Sequence, residues 1–380
     1  MSRYKIACTA GFAMFAMFFG SGNLVFPLMI GIKTSDQFLT ASLGLMLTGV
    51  LVPFLGLLSM ILFQGDKDKY FGLLGKWAPF TLSFLILSLL GPFGVVPRCI
   101  LVAYGGINLI YPQIPLYLFS AFFLILIFFI ILQKNNVIPI IGKYLGPLKI
   151  SGIILIIIAA INQSPELIPS VHSENPLILG ITQGYQTMDL MAAFFFSITI
   201  IEYLRGICGS KEETLRVSIL ASIIGGSLIA LVYIGFVSLG AHYAPYLTDI
   251  APEQYLATIA KLTLGKHAAL IVAVTIFLSC LATASSLVNL FATFLKSDIA
   301  SNKISWSFSI IITILISFAL SLTGFKTIFH FLAVILTYVY PALIALSLTA
   351  ILNQYYGFKW TKQFFWVVLL GNGCYSLFTL

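Results

Sequence analysis

Charged residues are scarce in this sequence: Asp, Glu, Lys and Arg make up 8% of the 380 residues, while 60% are hydrophobic. Soluble domains carry about a quarter charged residues. This shortage excludes a cytosolic enzyme, a disordered protein and a nucleic-acid binder, although the formal net charge is +8. Apolar runs of about 20 residues, the length of a membrane-spanning helix, recur along the chain. Runs such as 150–161 do not alternate as the strands of a membrane barrel would. The sequence therefore predicts an all-α polytopic membrane protein.

Histidine and cysteine are also few, with four and five residues respectively. The histidines form no HxxxH pair and the cysteines no CxxC pair, so no metal site is predicted and the cysteines are interpreted as small apolar core residues. The first apolar run continues to Ile32, beyond a polar break in its middle. We interpret it as a retained helix and not as a signal peptide.

Eleven membrane spans are predicted from the apolar runs. They cover residues 6–32, 38–63, 79–110, 115–132, 146–162, 178–204, 215–241, 266–295, 304–323, 327–353 and 361–380. With the N-terminus inside, fifteen Lys and Arg residues, Lys149 among them, fall on inner segments and four on outer segments. Cytoplasmic loops retain such cations. We therefore expect a cytoplasmic N-terminus and an excess of positive charge that faces anionic lipid.

The middle of the first span has a low helix propensity. Residues 19–27 read Phe-Gly-Ser-Gly-Asn-Leu-Val-Phe-Pro, so glycines and polar side chains lie at bilayer depth before a proline. A small-residue packing face is the alternative, but the spacing is GxG and not GxxxG. Irregular backbone at this depth is tolerated where it lines a cavity or is buried in protein. A broken helix offers free N–H groups to an anion and unwound carbonyls to a cation. We predict a broken helix at this position.

A transporter built from inverted five-helix repeats would break span 6 as well. No glycine or proline interrupts the centre of that span. The second break is only suggested, by the polar residues 186–189 and by the cluster Phe194–Ser197.

Further polar groups inside the spans are candidates for function. In span 8, Ser279, Thr283 and Ser286 recur on one helix face. Oxygen ligands suit a hard cation such as sodium, although such hydroxyls can also bond their own helix or a neighbouring one. Charges at membrane depth are functional hypotheses by default. Arg98 and Asp189 are predicted to be partners or to serve separate gates.

Four motifs resemble those of the branched-chain amino acid:cation symporters, the bacterial carriers of leucine, isoleucine and valine. They are the sequence at 19–27, Gly-Pro-x4-Pro-Arg at 91–98, Gly-Tyr-x-Thr-Met-Asp at 184–189 and Cys-Leu-x-Thr-Ala at 280–284. The resemblance implies the five-plus-five inverted-repeat (LeuT-like) fold of the amino acid–polyamine–organocation superfamily. It places the first repeat at 1–165, the second, inverted repeat at 166–355 and an additional C-terminal helix at 356–380.

The resemblance also implies roles for individual residues. The substrate's carboxylate and ammonium would be met at the broken helix 1 by Gly20, Ser21, Gly22 and Asn23. The break in helix 6 would lie at Phe196 and Ser197, beside the substrate. Sodium would be held by the carbonyls of Ala16 and Phe19 together with Ser279 and Thr283.

Two departures from the family pattern affect these expectations. Relatives tend to have two adjacent threonines in helix 8, whereas this chain has Ala282-Thr283, so one expected hydroxyl is missing. The family usually has about twelve helices, and eleven are predicted here. Because the missing helix lies outside the ten-helix core, we expect transport to persist.

The predicted function is cation-coupled uptake of branched-chain amino acids by alternating access in the bacterial inner membrane, with sodium as the expected coupling ion. We expect no enzyme activity and no cofactor beyond the coupling ion. The expected partners are the branched-chain amino acid and the lipid bilayer, and neither a nucleic acid nor an obligate protein partner is expected. The alternatives are a proton-coupled carrier of another small apolar amino acid and a membrane scaffold that transports nothing. An enzyme would need a catalytic constellation at depth, and a channel would need a filter or a polar stripe; the sequence has neither.

Overall fold

A computed structural model describes residues 3–132, 146–169 and 175–379, and these are nearly all helical. The first half contains α1 (Arg3–Phe18), α2 (Ser21–Thr34), α3 (Phe38–Met46), α4 (Val52–Leu62), α5 (Lys67–Gly72), α6 (Ala78–Leu90), α7 (Val95–Asn108), α8 (Leu116–Leu132) and α9 (Gly146–Ile161). The second half contains α10 (Pro176–Tyr185), α11 (Asp189–Arg205), α12 (Lys211–His242), α13 (Ala244–Leu247), α14 (Tyr255–Phe294), α15 (Trp306–Ser321), α16 (Phe325–Tyr356) and α17 (Thr361–Thr379).

Each of the eleven predicted spans coincides with one helix or with consecutive helices. The third span, predicted as continuous, consists of α6 and α7 with a turn at 91–94 between them. The eighth predicted span coincides with α14, which begins earlier than predicted, at Tyr255. In α14 the backbone leaves the helical conformation at Gly265, where φ is 75°. The lysines at 134 and 143, predicted to be cytoplasmic, lie outside the described residues.

Length and hydropathy identify five membrane-crossing helices in the described ranges, or six when the bent pair α10–α11 is taken as one span. Three further apolar helices, Leu116–Leu132, Pro147–Asn162 and Trp306–Ser321, are shorter. The chain is thus a multi-pass membrane protein, while the number of eleven crossings stays a prediction. The proposed repeat boundaries at 165/166 and 355/356 also stay predictions.

The two broken helices pack tightly against their neighbours through glycines. A Cβ built on Gly31 of α2 would lie 2.0 Å from the carbonyl oxygen of Val237 in α12. A Cβ on Gly180 of α10 would lie 2.1 Å from the carbonyl oxygen of Ala41 in α3. Such distances leave no room for a side chain, so the backbones are in direct contact. These contacts fix α2 and α10, and with them the two helix breaks, inside the bundle.

Candidate functional site

The first helix is broken at Phe19 and Gly20, between α1 and α2. Gly20 is extended (φ −116°, ψ −152°), and its N–H donates to Asn23 Oδ1 at 2.9 Å. The break is shorter than predicted, because Ser21, Gly22 and Asn23 already form the first turn of α2. The amides of a first turn have no partner within their helix. The predicted half-helix N-terminus is therefore present, on helical and not on unwound backbone, and anion binding at this end stays a prediction.

The sixth span is broken at residues 186–188, where Met188 is left-handed (φ 61°) and α10 and α11 meet at 43°. The prediction that Phe196 and Ser197 lie at this break is wrong. Both are buried inside α11, where the Ser197 hydroxyl donates to the carbonyl of Phe194 at 3.0 Å. Phe196 nevertheless lies near the first break, because its ring packs edge-on against the ring of Phe18, with the two ring centres 5.2 Å apart. The informative signal was the polar run at 186–189.

The two breaks lie directly against each other. A Cβ built on Gly22 would lie 3.1 Å from the Cα of Thr187 and 3.3 Å from the carbonyl oxygen of Gln186. A side chain larger than hydrogen would therefore push the broken ends apart. The glycine is required by this close approach and not by its backbone angles.

A buried carboxylate joins the two breaks. Asp189, the first residue of α11, is 2% exposed, and Asn23 Nδ2 donates to its two oxygens at 3.1 and 2.9 Å. The Tyr233 hydroxyl of α12 donates to Asp189 Oδ2 at 2.6 Å and is also in contact with Asn23 Nδ2. We call Asn23, Asp189 and Tyr233 the carboxylate cluster. Sequence reasoning identified Asp189 but missed Tyr233, because nothing in one sequence indicates which tyrosine of a distant helix reaches it.

Arg98 of α7 is fully buried and supports the second break. Its Nη1 donates to the carbonyl of Gln186 at 3.1 Å, its Nη2 contacts the Met188 sulfur at 3.3 Å, and its guanidinium lies 5.4 Å from the centre of the Phe26 ring. A cation at the carbonyl end of α10 is favoured by the helix dipole. Arg98 and Asp189 form no salt bridge in the part of the chain that the structure describes, so they are not direct partners. Arg98 Nε has no hydrogen-bond partner among the described residues.

Replacing Arg98 with lysine is expected to lower the rate of uptake more than it lowers the amount of folded protein. A lysine carries the charge on one atom and cannot span the Gln186 and Met188 contacts together, so the bend would lose one anchor. Initial uptake rates in proteoliposomes, normalised to the monodisperse protein recovered, measure this effect. An unchanged rate would show that the bend does not depend on the guanidinium.

The four residues predicted to bind sodium do converge. Ser279 Oγ donates to the Phe19 carbonyl at 3.0 Å and Thr283 Oγ1 to the same oxygen at 3.3 Å. The carbonyl of Ala16 lies one helical turn earlier, at the C-terminal end of α1. We call these four residues the oxygen cluster. Ser286 does not take part, since its hydroxyl donates to the carbonyl of Ala282 in its own helix.

A lysine ammonium lies on the oxygen cluster. Lys149 Nζ donates to the Ala16 carbonyl at 3.1 Å and to the Phe19 carbonyl, and its side chain is 1% exposed. The assignment of Lys149 to a cytoplasmic segment is therefore wrong, because α9 carries it into the protein interior. A lysine within the predicted span 146–162 was itself a signal of function.

A narrow cavity reaches Asp189 between α1, α4 and α12. Its other lining residues are mostly apolar, including Phe18, Val50, Leu57 and Ile229. Its volume is about 20 Å³, which accommodates about one water molecule. An amino acid with an aliphatic side chain would need the surrounding helices to move apart.

The comparisons with known proteins agree with this geometry. The family model described as "Branched-chain amino acid transport protein" matches residues 3–379. The branched-chain amino acid permease BrnQ of Corynebacterium glutamicum is 28% identical over 375 residues, which cover 96% of this chain and 85% of the permease.

Solved structures share the fold at low sequence identity. Mhp1, a nucleobase-cation-symport-1 family transporter in a closed conformation with bromovinylhydantoin bound, superposes with a TM-score of 0.69 at 10% identity, covering 90% of this chain and 76% of Mhp1. MhsT in complex with L-phenylalanine superposes with a TM-score of 0.58 at 14% identity, covering 97% of each chain. The predicted LeuT-like fold class is thereby confirmed.

Proposed function

The chain belongs to the branched-chain amino acid transport protein family, and from that premise we propose that it takes up leucine, isoleucine and valine by cation-coupled alternating access. The observation that carries this proposal is the contact between the two helix breaks, where a helix N-terminus and a carboxylate lie within an apolar bundle. A zwitterion with an aliphatic side chain matches those three features.

The polar ends of the substrate find complementary groups at the breaks. The free amides of Ser21 and Gly22 and the positive end of the α2 dipole suit the substrate carboxylate. The buried carboxylate of Asp189 suits the substrate ammonium, since a buried charge is stable only when it is paired or hydrogen-bonded. These contacts are common to all amino acids, so they set the class of substrate and not the side chain.

The apolar surroundings are proposed to select the side chain. Phe18, Phe196 and the residues that line the cavity beside Asp189 offer apolar contacts. Leucine, isoleucine and valine should differ from one another by only about 1–3 kcal/mol per methylene. Glutamine and lysine should be excluded more strongly, because their extra polar groups would be buried without partners.

Competition for labelled leucine uptake by each of the twenty amino acids in proteoliposomes tests this selectivity. We expect isoleucine, valine and unlabelled leucine to compete at the lowest concentrations. A substrate-induced rise in the unfolding temperature in detergent provides a second readout that a scaffold would not show. Equal competition by glutamine or lysine would contradict the branched-chain assignment.

The location and orientation are part of the same proposal. The permease relative is bacterial, and the multi-pass fold suits the inner membrane, with the N-terminus in the cytoplasm according to the distribution of lysines and arginines. The described cations of the proposed inner side include Arg3, Lys5 and Arg216, all of which are exposed. Labelling of single cysteines introduced at residue 3 and, on the opposite side, at Lys326 tests this orientation in intact cells.

The coupling cation is proposed to act at the oxygen cluster. The convergence of the Ala16 and Phe19 carbonyls with Ser279 and Thr283 supports a cation at this point, next to the first helix break. Sodium was the expectation from the family resemblance, with a proton as the alternative. The position of Lys149 bears on this choice, because its ammonium contacts both carbonyls.

A further inference from the structure

A tyrosine from a distant part of the chain contacts both sides of the second helix break. Tyr340, in the middle of α16, is fully buried. Its hydroxyl accepts a hydrogen bond from the N–H of Leu190 at 3.0 Å, and its ring stacks on the ring of Tyr185 with the ring centres 4.7 Å apart. Tyr185 is the last residue of α10 and Leu190 is the second residue of α11. One side chain therefore connects the two halves of the broken span.

The Tyr340 hydroxyl supplies a cap that the sequence around the break lacks. The amides of the first turn of a helix have no partner within that helix, and a Ser, Thr, Asp or Asn at the N-cap position often accepts from one of them. At α11 the N-cap residue is Met188, and its side chain caps no amide. The Leu190 amide is bonded to Tyr340 instead. Because Asp189 directly precedes Leu190, this bond also fixes the backbone that carries the Asp189 carboxylate.

Tyr340 is followed by a proline in the interior of α16. Proline has no N–H, so the carbonyl four residues earlier loses its partner within the helix. For Pro341 that carbonyl belongs to Thr337. A carbonyl without a partner is costly at bilayer depth. It would also loosen α16 at the turn that carries Tyr340.

The C-terminal helix α17 provides a partner for this carbonyl. The side-chain amide of Asn372 donates through Nδ2 to the carbonyl of Thr337. The preceding residues of α17, 364–370, are all apolar, and Val367 among them is 69% exposed on the outer surface of the bundle. A polar side chain next to such a segment is expected to pair with a backbone carbonyl or another polar group. Here its partner is the carbonyl that Pro341 leaves free.

A second hydrogen bond also connects α17 to α16. The Thr361 hydroxyl, at the start of α17, donates to the carbonyl of Thr349 at 3.5 Å. Among the described helices, α16 is the one against which α17 packs most extensively. An effect of α17 on the helix breaks would therefore pass through α16.

Resting on the proposed function, we infer that Tyr340 and Asn372 are positioning residues for the substrate. Asn372 keeps α16 intact at Pro341, and this fixes the turn of α16 that carries Tyr340. Tyr340 in turn holds the second break and the Asp189 carboxylate in the geometry that binds the substrate ammonium. Neither residue has to touch the substrate.

The physical reason is the cost of ordering the site. A break that is already fixed in the free protein binds its ligand without a further loss of conformational freedom. Without the Tyr340 and Asn372 bonds, only a fraction of the molecules would have the start of α11 in the binding geometry. The apparent affinity for the substrate falls by that fraction. The C-terminal helix thereby contributes to substrate binding from the outer surface of the bundle.

Tyr340→Phe tests the cap on α11. It keeps the stacked ring and removes the hydroxyl, so leucine should bind about threefold to tenfold more weakly, which is the range for one hydrogen bond. Equilibrium binding of labelled leucine to the detergent-solubilised full-length chain, expressed per folded molecule, measures this change. Tyr355→Phe, at an exposed tyrosine of the same helix, is the matched control and should bind leucine like the unmodified protein. An unchanged affinity in Tyr340→Phe would overturn the positioning role.

A rescue experiment tests the connection from α17 to the break. Asn372→Leu removes the donor to the Thr337 carbonyl and should weaken leucine binding by a similar factor. Pro341→Ala restores a backbone N–H that can donate to the same carbonyl, so the double variant should regain the affinity of the unmodified protein. A loss of affinity that persists in the double variant would contradict the connection.

The matched control for Asn372 lies on the same helix. Gln363→Leu removes an exposed amide from α17 and should leave leucine binding unchanged. If Gln363→Leu weakened binding as much as Asn372→Leu does, the effect would come from the packing of α17 in general and not from the Thr337 carbonyl. That result would overturn the role of Asn372.

Hydrogen–deuterium exchange without leucine separates this role from the proposed function. The Leu190 amide should exchange faster in Tyr340→Phe and in Asn372→Leu than in the unmodified protein, because its protection depends on the hydrogen bond to Tyr340. The double variant with Pro341→Ala should exchange like the unmodified protein. Mass spectrometry of peptides that contain residue 190 measures these rates. Equal exchange in all variants would overturn the positioning role alone, whereas failure of the unmodified protein to bind leucine would overturn the proposed function.

Discussion

Leucine uptake by Gly22→Leu is expected to be abolished, although the protein should still insert and remain monodisperse in detergent. A Cβ at this position would lie 3.1 Å from the Cα of Thr187, and the rest of a leucine side chain would extend into the contact between the two breaks. Overpacking of this kind costs about 1–3 kcal/mol or more, and here it falls on the two segments that would have to meet the substrate. Uptake of labelled leucine into proteoliposomes measures the effect.

Two further variants calibrate this result. Gly22→Ala adds only the Cβ, which needs a shift of a few tenths of an ångström, so uptake should be reduced but measurable. Gly371→Leu places the same side chain on α17, where a Cβ would meet nothing within 4 Å, and uptake should be unchanged. Normal transport by Gly22→Leu would show that the substrate does not bind where the two breaks meet.

Asp189→Ala is expected to weaken leucine binding by about 30-fold to several thousand-fold. The substitution removes the acceptor of Asn23 Nδ2 and of the Tyr233 hydroxyl, and it removes the proposed partner of the substrate ammonium. Truncation of one member of a buried charged pair costs about 2–5 kcal/mol, and each 1.4 kcal/mol is a factor of ten in affinity. Equilibrium binding of labelled leucine to the detergent-solubilised protein measures this loss.

A graded series identifies the cause of that loss. Tyr233→Phe removes one hydrogen bond to a charged group, worth about 1.5–3 kcal/mol, so its effect should be smaller. Asp249→Asn, at an exposed acid, should bind leucine normally. Normal leucine binding by Asp189→Ala would show that the Asp189 carboxylate is not part of the substrate site.

The membrane class and the first helix break were predictable from the sequence alone. Long apolar runs with few charges can be stable only in a bilayer, and each predicted span indeed coincides with a helix or with consecutive helices. Glycines followed by Ser, Asn and Pro at bilayer depth leave few alternatives to an interrupted helix. The family followed from four short motifs, of which the first and third contain residues of the two breaks.

The second break and the position of Lys149 were decided by the tertiary structure. Residues 186–188 contain no glycine or proline. The bend there is held by Arg98 from α7, and the helix propensities of residues 186–188 do not indicate this contact. Lys149 looks like a cytoplasmic lysine in the sequence because it lies only a few residues inside a predicted span. Whether it faces lipid, water or the end of α1 depends on how α9 packs against α1 and α14. Local sequence sets which segments are apolar and where a helix is weak, but contacts between residues 88 and 133 positions apart determine which charge lies on which carbonyl.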